Sequence, residues 1–302
     1  SSHFGSSSLG VPAAPRILAD LAPRCPLWPM QFRPWQIANV IAFVANVAAV
    51  RSIPRLDSEN AMLQPLNYLT PAPWAFAIWG VIYFLEYCFI SWQLLPRAQT
   101  ELLRKVSSWW CAANACQVLW CFVFQPRFDS PALLWLSAAA LSGIAACLSR
   151  AHALLTSPAS AQQGSMVACT PIALHFGWTT AAALVNWNGY VARCTSATTP
   201  KLAAALLSAA LATSLGSSLT VARRSALYGA TVAWAVVAVG VHTLQSERLA
   251  EELGRPVATG LGVVELALGA GLVAVAAATG AAARFSSRKP GPGPAAASST
   301  SA

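Results

Sequence analysis

The apolar stretch at residues 71–95 constrains the fold of this chain more than any other feature. It reads PAPWAFAIWGVIYFLEYCFISWQLL, and it is as long as the roughly 20 residues that a helix needs to cross the hydrocarbon core of a bilayer. Its two early prolines suit a helix start, where backbone N–H groups have no intrahelical partners. Five of its side chains share one helical face: Trp79, Tyr83, Glu86, Tyr87 and Ile90. Because lipid needs neither a carboxyl group nor rings with polar edges, this face predicts contact with another helix or a bound ligand.

The composition extends this argument to the whole chain. Of the 302 residues, 56% are hydrophobic and 10% are charged, whereas soluble domains carry about 25% charged residues. We therefore predict an all-α, polytopic membrane helix bundle whose first partner is the lipid bilayer. The net charge of +9 does not indicate a nucleic-acid partner, because the basic residues are scattered between apolar stretches and form no phosphate-reading cluster.

Eight apolar segments predict eight transmembrane helices. They lie at residues 34–50, 71–95, 106–124, 132–149, 168–190, 202–221, 226–245 and 257–283. The tryptophans distinguish the first five segments from the last three, because eleven of the twelve precede residue 190. We predict four parts: a disordered or targeting remnant (1–33), a tryptophan-rich core (34–190), three additional transmembrane helices (191–284) and a disordered tail (285–302).

The distribution of positive charge predicts the orientation in the membrane. With eight spans, twelve of the 19 Lys and Arg residues fall on the side that holds both termini. Because cytoplasmic loops are enriched in Lys and Arg, we expect both termini to face the cytosol, or the stroma or matrix of an organelle. Residues 1–33 are rich in Ser, Pro and Ala. That composition suits either a transit-peptide remnant or a disordered tail, and we expect the envelope of a chloroplast or mitochondrion.

Amide and aromatic side chains in two further spans are candidate ligand contacts. In the third span Asn114 and Gln117 share a face beside Trp120. Buried amides need hydrogen-bond partners, so these two either join helices or orient a ligand in a pocket. The fifth span carries one stripe of five residues: His175, Trp178, Ala182, Val185 and Asn186. The small side chain in its middle leaves room, and the stripe predicts either a packed helix interface or a pocket wall.

Two carboxyl groups, Glu86 and Glu265, lie within predicted spans. Ionisable groups at membrane depth are costly and mark proton or ion pathways, although a neutral, hydrogen-bonded Glu inside the bundle would suit the same positions. The histidines at 175 and 242 lack the paired spacing of a metal site, and the chain has neither a GxSxG motif nor a P-loop. We therefore expect no metal and no catalytic residues, and no residue set demands an enzymatic activity.

Motifs in three spans combine into one pattern. The second span contains Ile78-Trp79-Gly80-Val81-Ile82-Tyr83, the third contains Gln117-x-x-Trp120, and the fifth contains Pro171, Trp178, Ala182 and Asn186. Together they resemble the IWGxxY motif, the NxxW motif and the fifth helix of the TspO/MBR family, the tryptophan-rich sensory or translocator proteins. The resemblance covers residues 34–190. Three features depart from the family's five-helix form: Gln in place of Asn at 117, the carboxyl group at 86 and the added helices.

The resemblance implies a five-helix bundle with a pocket for a flat hydrophobic ligand, a tetrapyrrole such as a porphyrin or a sterol-like molecule, which is transported or sensed. It implies no covalently bound cofactor, but a porphyrin- or haem-like ligand. Ten residues are the candidate contacts: Trp79, Tyr83, Glu86, Asn114, Gln117, Trp120, His175, Trp178, Ala182 and Asn186. A homodimer and a role in tetrapyrrole breakdown stay open. The alternative functions are a proton-coupled transporter that uses Glu86 and Glu265, and a structural membrane subunit without a ligand.

Overall fold

The computed structural model describes residues 32–56, 65–158 and 166–287. The segments predicted as a remnant at 1–33 and as a tail at 285–302 therefore lie almost wholly outside the described residues. At the C-terminal boundary the last helix runs to Ser287, so the first three residues of the predicted tail are helical.

The described residues form α-helices and short 3-10 turns, with no strand among them. The helices are α1 Pro34–Ser52, α2 Ile78–Gln93, α3 Glu101–Val123, α4 Trp135–Thr156, α5 Met166–Cys194, α6 Thr198–Ala222, α7 Ala226–Gln245, α8 Glu247–Leu253 and α9 Arg255–Ser287. The predicted all-α bundle is confirmed, and every predicted span coincides with a long helix. Six long helices, all except α1 and α3, are long and apolar enough to cross a membrane by length and composition. The short α8 was not predicted.

Most helix boundaries differ from the predicted ones by a few residues, and the differences are largest at the start of the second span and at the end of the fourth. The second span opens with a 3-10 turn, Pro73–Ala77, before α2 begins. This turn is held against α7, because the indole N–H of Trp234 donates to the Ala75 carbonyl at 3.1 Å and the Ala72 N–H donates to the Ala238 carbonyl at 3.0 Å. At the other boundary, α4 continues to Thr156, so the connection predicted to start at residue 150 is shorter.

The first five helices form a closed ring. Contacts between neighbouring helices follow the order α1, α2, α5, α4, α3 and back to α1. Helix α5 also contacts α6 and α7, and these two pack with α9 into a second layer. The last three long helices therefore lie outside the ring that carries the aromatic and amide faces.

The polarity of this bundle is reversed relative to a soluble protein. Large apolar side chains point outward, with Ile41, Phe84 and Leu207 exposed by 65%, 64% and 72%. Amides such as Gln36 and Asn39 are fully buried instead. Soluble proteins rarely expose apolar surface on this scale, whereas a bilayer covers it and forces polar groups to find partners inside the bundle.

Side-chain contacts assign the helix ends to two ends of the bundle. At one end, called the basic end here, Arg33 before α1 donates to Gln99 before α3 at 3.3 Å. At the opposite end, Lys201 of α6 forms an ion pair with Glu252 of α8, which also accepts a hydrogen bond from Tyr68 at 2.6 Å. Burial raises the pKa of Glu252, but the hydrogen bonds from Lys201 and Tyr68 outweigh it and lower that pKa below the ordinary carboxyl value. Successive connections between helices therefore lie alternately at the basic end and at the opposite end, as consecutive antiparallel helices require.

An even number of crossings predicts that both termini face the same side of the membrane. In a cysteine-free variant, single cysteines introduced at Ser2 and Ser299 should be labelled by an impermeant maleimide from the same side. The basic end should face the cytosol, stroma or matrix, because Lys and Arg are retained on that side. Labelling of the two positions from opposite sides would contradict the eight-span topology.

Helices α7 and α9 cross closely at Gly240. A Cβ atom at Gly240 would lie 2.8 Å from the Leu266 Cγ and 2.9 Å from the Leu266 backbone nitrogen. Gly240→Ala should therefore lower the free energy of unfolding by about 1–3 kcal/mol, the usual cost of overpacking. Gly271→Ala is the matched control, since its Cβ would meet nothing within 4 Å. Thermal unfolding in detergent should show a lower melting temperature for Gly240→Ala only. Equal melting temperatures for the two variants would mean that α9 can shift against α7 to make room.

Candidate ligand-binding site

The centre of the five-helix ring holds a buried carboxyl group with two nitrogen partners. The Glu86 Oε1 lies 2.8 Å from the His175 Nδ1 and 3.3 Å from the Trp110 Nε1. All three side chains are fully buried. An indole N–H only donates, so Oε1 accepts from Trp110. An ionised carboxylate only accepts, so with Glu86 ionised the His175 Nδ1 carries the proton that it shares. This contact joins α2, α3 and α5 at one point.

Three polar atoms around this centre have no hydrogen-bond partner among the described residues. They are the Glu86 Oε2, the His175 Nε2 and the Gln117 Oε1. Buried polar atoms without a partner are rare in native proteins, and each one calls for an explanation such as a bound water or ligand. Their proximity therefore marks this part of the ring as a candidate site.

Aromatic rings enclose the same centre on the α2 and α5 side. Trp79 stacks on Tyr83 with ring centroids 5.5 Å apart, and it meets the ring of His175 edge-on at 5.5 Å. Trp178 lies behind Trp79 at 6.3 Å and packs against Phe76 at 5.4 Å. Trp79 and Tyr83 are only half-buried. The result is a continuous aromatic wall whose outer face is open.

Gln117 connects this wall to α3, because its Nε2 donates to the Tyr83 hydroxyl at 2.9 Å. Asn114, one turn earlier, instead accepts a hydrogen bond from Asn46 of α1 at 2.8 Å. Both amides of the third span therefore join helices, and the Gln117 Oε1 is left without a partner among the described residues. We refer to Trp79, Tyr83, Glu86, Trp110, Gln117, His175 and Trp178 as the interior site.

Asn186 and Trp120 lie together but nearer the opposite end of the bundle. The Asn186 Oδ1 accepts from the Trp120 indole at 3.4 Å and from the Ser137 hydroxyl at 3.1 Å. The guanidinium of Arg55 lies over the Trp120 ring at 5.7 Å. Ala182 is half-buried on α5, one turn before Asn186. Nine of the ten predicted residues therefore occupy two neighbouring clusters rather than one, and Asn114 contacts α1 instead.

Sequence reasoning missed the polar contribution of α1, and that of Ser107 and Trp110 on α3. The Asn39 Nδ2 donates to the Gln93 Oε1 at 2.6 Å and to the Ser107 Oγ at 2.8 Å. The amides at 36, 39 and 46 are spaced by three and seven residues, so their common face was visible as a helical period. Trp110 stands one turn before Asn114 on the same face of α3, which is a comparable signal. Conversely, Tyr87 was predicted on the contact face of α2 but is 61% exposed. Its side chain lies beside the part of α2 that α5 and α3 cover, not on it.

Glu265 is not part of the interior site. It lies in α9, fully buried, and neither of its carboxyl oxygens has a hydrogen-bond partner among the described residues. The hydroxyl of Thr243 is its polar neighbour. Its surroundings are otherwise apolar and belong to the second layer of helices, where residues such as Ala181 and Val239 line the same small cavity. No group of three or more metal-ligating side chains occurs in the described ranges.

The family model of TSPO-like proteins matches residues 36–278. The chain belongs to the TSPO-like protein family. The resemblance noted from the three motifs is thereby confirmed, and the match extends beyond residues 34–190 through α6 and α7 into α9. No curated protein and no solved structure matches the chain. Family membership and the apolar helices together establish this TSPO-like chain as a multi-pass integral membrane protein.

Proposed function

We propose that the interior site binds a flat apolar ligand, a tetrapyrrole or a sterol-like molecule, and that the protein transports or senses it. The observation that carries the proposal is the set of unpartnered polar atoms on Glu86, His175 and Gln117 beside an aromatic wall. Ligand pockets combine apolar and aromatic surface with a few polar groups that fix orientation. The wall would supply buried area and the polar atoms would orient the ligand.

The three unpartnered atoms are all hydrogen-bond acceptors. Two are side-chain oxygens, and the third is the His175 Nε2, which accepts when the Nδ1 carries the proton. The complementary ligand therefore brings N–H or O–H donors, as pyrrole nitrogens and a sterol hydroxyl do. For a haem-like ligand, the His175 Nε2 is the atom able to ligate the iron, because the Glu86 carboxylate on the Nδ1 orients a histidine for this role.

A titration of the purified full-length protein tests the proposal. Protoporphyrin, a bilin and a sterol are added separately, and binding is followed by quenching of tryptophan fluorescence for the coloured ligands and by competition for the sterol. We expect saturable binding of at least one of them. The absence of saturable binding by all three would contradict the proposal and favour a structural subunit without a ligand.

Ala182→Leu should weaken this binding by filling space on α5 without removing a contact group. The cost of forcing extra methylenes into a packed position is about 1–3 kcal/mol, which corresponds to a loss of affinity of about thirtyfold at the middle of that range. Ala203→Leu on the exposed face of α6 adds the same volume outside the bundle and should bind like the parent. If both leucine variants fold and bind like the parent, the ligand does not reach this part of α5.

Proton-coupled transport is the second candidate function, and buried carboxyl groups favour it. Glu86 and Glu265 both have unpartnered oxygens, and buried Asn39, Gln93 and Ser107 continue the polar interior from Glu86 towards the basic end. Proteoliposome flux that depends on a pH gradient and is lost in Glu86→Gln would support this function. Ligand binding that persists without any gradient-driven flux would favour the first function.

A further inference from the structure

A second cavity lies on another face of α5, where α4, α5, α6 and α7 meet. Its volume is about 440 Å³, which falls within the roughly 300–1,000 Å³ of typical small-molecule sites. The buried rings of Phe176 and Tyr228, stacked at 4.4 Å, lie at its inner side. Trp187, Leu211 and Leu215 line its outer side and are exposed by 37%, 47% and 39%. The cavity is therefore apolar and opens sideways, towards the lipid.

One end of this cavity is fixed by Arg223, at the basic end of the bundle. Its Nη1 donates to the Ser149 carbonyl at 3.0 Å and its Nη2 donates to the Ser149 hydroxyl at 2.8 Å. The guanidinium also lies over the Phe176 ring, 5.4 Å from its centroid. Ser149 and Phe176 both line the cavity, so the positive charge stands at its rim.

The remaining contacts of Arg223 leave one edge of the guanidinium available. The Nη1 also lies 3.2 Å from the His152 Nδ1. Because Arg only donates, this Nδ1 accepts, and the His152 Nε2 donates to the Ser225 hydroxyl at 3.0 Å. Among the described residues, neither the Nε–H nor the second Nη2–H of Arg223 has a hydrogen-bond partner. These two N–H groups lie on the same edge, which is the geometry that binds a phosphate or carboxylate in a bidentate way.

Two more arginines add positive charge beside Arg223. Arg150 follows Ser149 on α4 and Arg224 follows Arg223, and both are exposed. None of the three takes part in an ion pair among the described residues. Arg224 has a positive φ of 51°, which is the sharp turn that brings α6 directly into α7. Three uncompensated cations therefore stand together at the basic end, above an apolar cavity.

The depth of the cavity fits one leaflet of a bilayer. From Arg223 to Leu211, α6 runs twelve residues, which is about 18 Å at 1.5 Å per residue. Half of the roughly 30 Å hydrocarbon core is about 15 Å. An acyl chain that lies in the cavity would therefore have its headgroup at the level of the arginines.

We propose that this cavity is a binding site for an anionic membrane phospholipid of the leaflet at the basic end. One acyl chain occupies the space against Phe176 and Tyr228, and the phosphate binds the free edge of Arg223 with Arg150 and Arg224 beside it. Basic pockets between transmembrane helices bind anionic headgroups in this way. The site shares no polar contact with Glu86 or His175, so it is independent of the ligand proposed for the interior site.

Lipid titration of the delipidated full-length protein in detergent tests this site, with native mass spectrometry as the readout. The probes are dioleoyl-phosphatidylglycerol and dioleoyl-phosphatidylcholine, which share their acyl chains and differ in charge. We expect one tightly bound phosphatidylglycerol with an affinity about tenfold or more above that of phosphatidylcholine. Equal affinities for the two lipids would overturn the proposal.

Variants separate the headgroup from the acyl chain. Arg150→Gln/Arg224→Gln should remove most of the preference for phosphatidylglycerol, and Arg223→Lys should weaken it while keeping the charge. Ala146→Trp, at an exposed position that lines the cavity, should reduce the binding of both lipids. Arg248→Gln, at the opposite end, is the control for loss of an arginine away from the cavity and should change nothing.

Three outcomes of this comparison would contradict the site. They are an unchanged preference in the double arginine variant, an unchanged occupancy in Ala146→Trp, and an equal loss in Arg248→Gln. Competition by glycerol phosphate at the affinity of the lipid would also contradict it, because it would mean that the arginines bind a free phosphate without an acyl chain.

Discussion

Glu86→Leu should destabilise the bundle more than any other single substitution at the interior site. The change leaves the N–H groups of His175 and Trp110 without their shared acceptor inside the ring. Breaking a buried polar pair from one side costs about 3–5 kcal/mol, and the melting temperature should fall on the order of 10 °C for a chain of this size. Circular dichroism of the detergent-solubilised protein gives the measurement.

A double-mutant cycle separates the Glu86–His175 contact from general damage to the helix interface. His175→Leu alone leaves the carboxyl group with Trp110 only, and the double variant removes both partners of the 2.8 Å contact. The double variant should therefore lose less free energy of unfolding than the two single variants added together, by about 0.5–3 kcal/mol. Additive losses would mean that the two groups do not depend on one another.

Glu101→Gln is the matched control for the same carboxyl chemistry at the surface. Glu101 pairs with Arg104 at 2.6 Å, but both side chains are more than half exposed. Exposed ion pairs contribute little, because water screens them and their side chains lose entropy on pairing. The control should keep the parent's melting temperature.

The helices themselves could be predicted from the sequence, because their signals are local. An apolar segment of membrane length is one such signal, and the predicted segment 226–245 coincides with the observed Ala226–Gln245. The missed helix α8 has a signal too, since Ser246 caps it by accepting from the Leu249 N–H at 3.4 Å and Gly254 ends it with a φ of 82°. Helix α8 was missed because it is short and lies between longer apolar segments.

The partners of the buried polar groups could not be predicted, because a helical face does not say which other face it meets. Glu86 and His175 are 89 positions apart, and nothing local to either residue distinguishes this pairing from one with Glu265. The ring order α1, α2, α5, α4, α3 decides it. In that order α2 and α5 become neighbours and α9 lies outside. The split of the candidate residues into two clusters, with Asn114 in neither, has the same origin.

The two long helices that fall outside the six apolar spans are the ones richest in buried amides at the ring interior. Helix α1 buries Gln36, Asn39 and Asn46, and α3 buries Ser107, Asn114 and Gln117. Each polar group lowers the mean hydropathy of its helix, yet inside the ring most of them find partners on α1, α2 or α3. A purely structural bundle gains only modestly from such contacts. Three acceptors of the interior site, on Glu86, His175 and Gln117, stay without a partner among the described residues, and the proposed binding site rests on these three atoms.

Trp79→Ala should produce the largest loss of ligand affinity that does not also remove a buried polar group. Trp79 contacts Tyr83, His175 and Trp178 at once, so its ring is the centre of the aromatic wall. A flat ligand gains mainly from buried apolar area, at roughly 25 cal/mol per Å², with about 0.5–1.5 kcal/mol more from ring geometry. Removing the ring should therefore weaken porphyrin binding by about 1–3 kcal/mol, or between about fivefold and two hundredfold.

The neighbouring Trp74 provides the control for this change. It stands five residues earlier and is 44% exposed, and its ring meets Trp234 on the outside of the ring of helices at 4.8 Å. Trp74→Ala removes the same side chain and should leave the porphyrin affinity unchanged. Trp178→Ala should weaken binding in the range expected for Trp79→Ala, because Trp178 supports Trp79 from behind. Parent-like affinity in both the Trp79 and Trp178 variants, measured on folded protein, would place the ligand away from this wall. The membership of the chain in its family would be unaffected, because it depends on the match over residues 36–278 and not on the ligand.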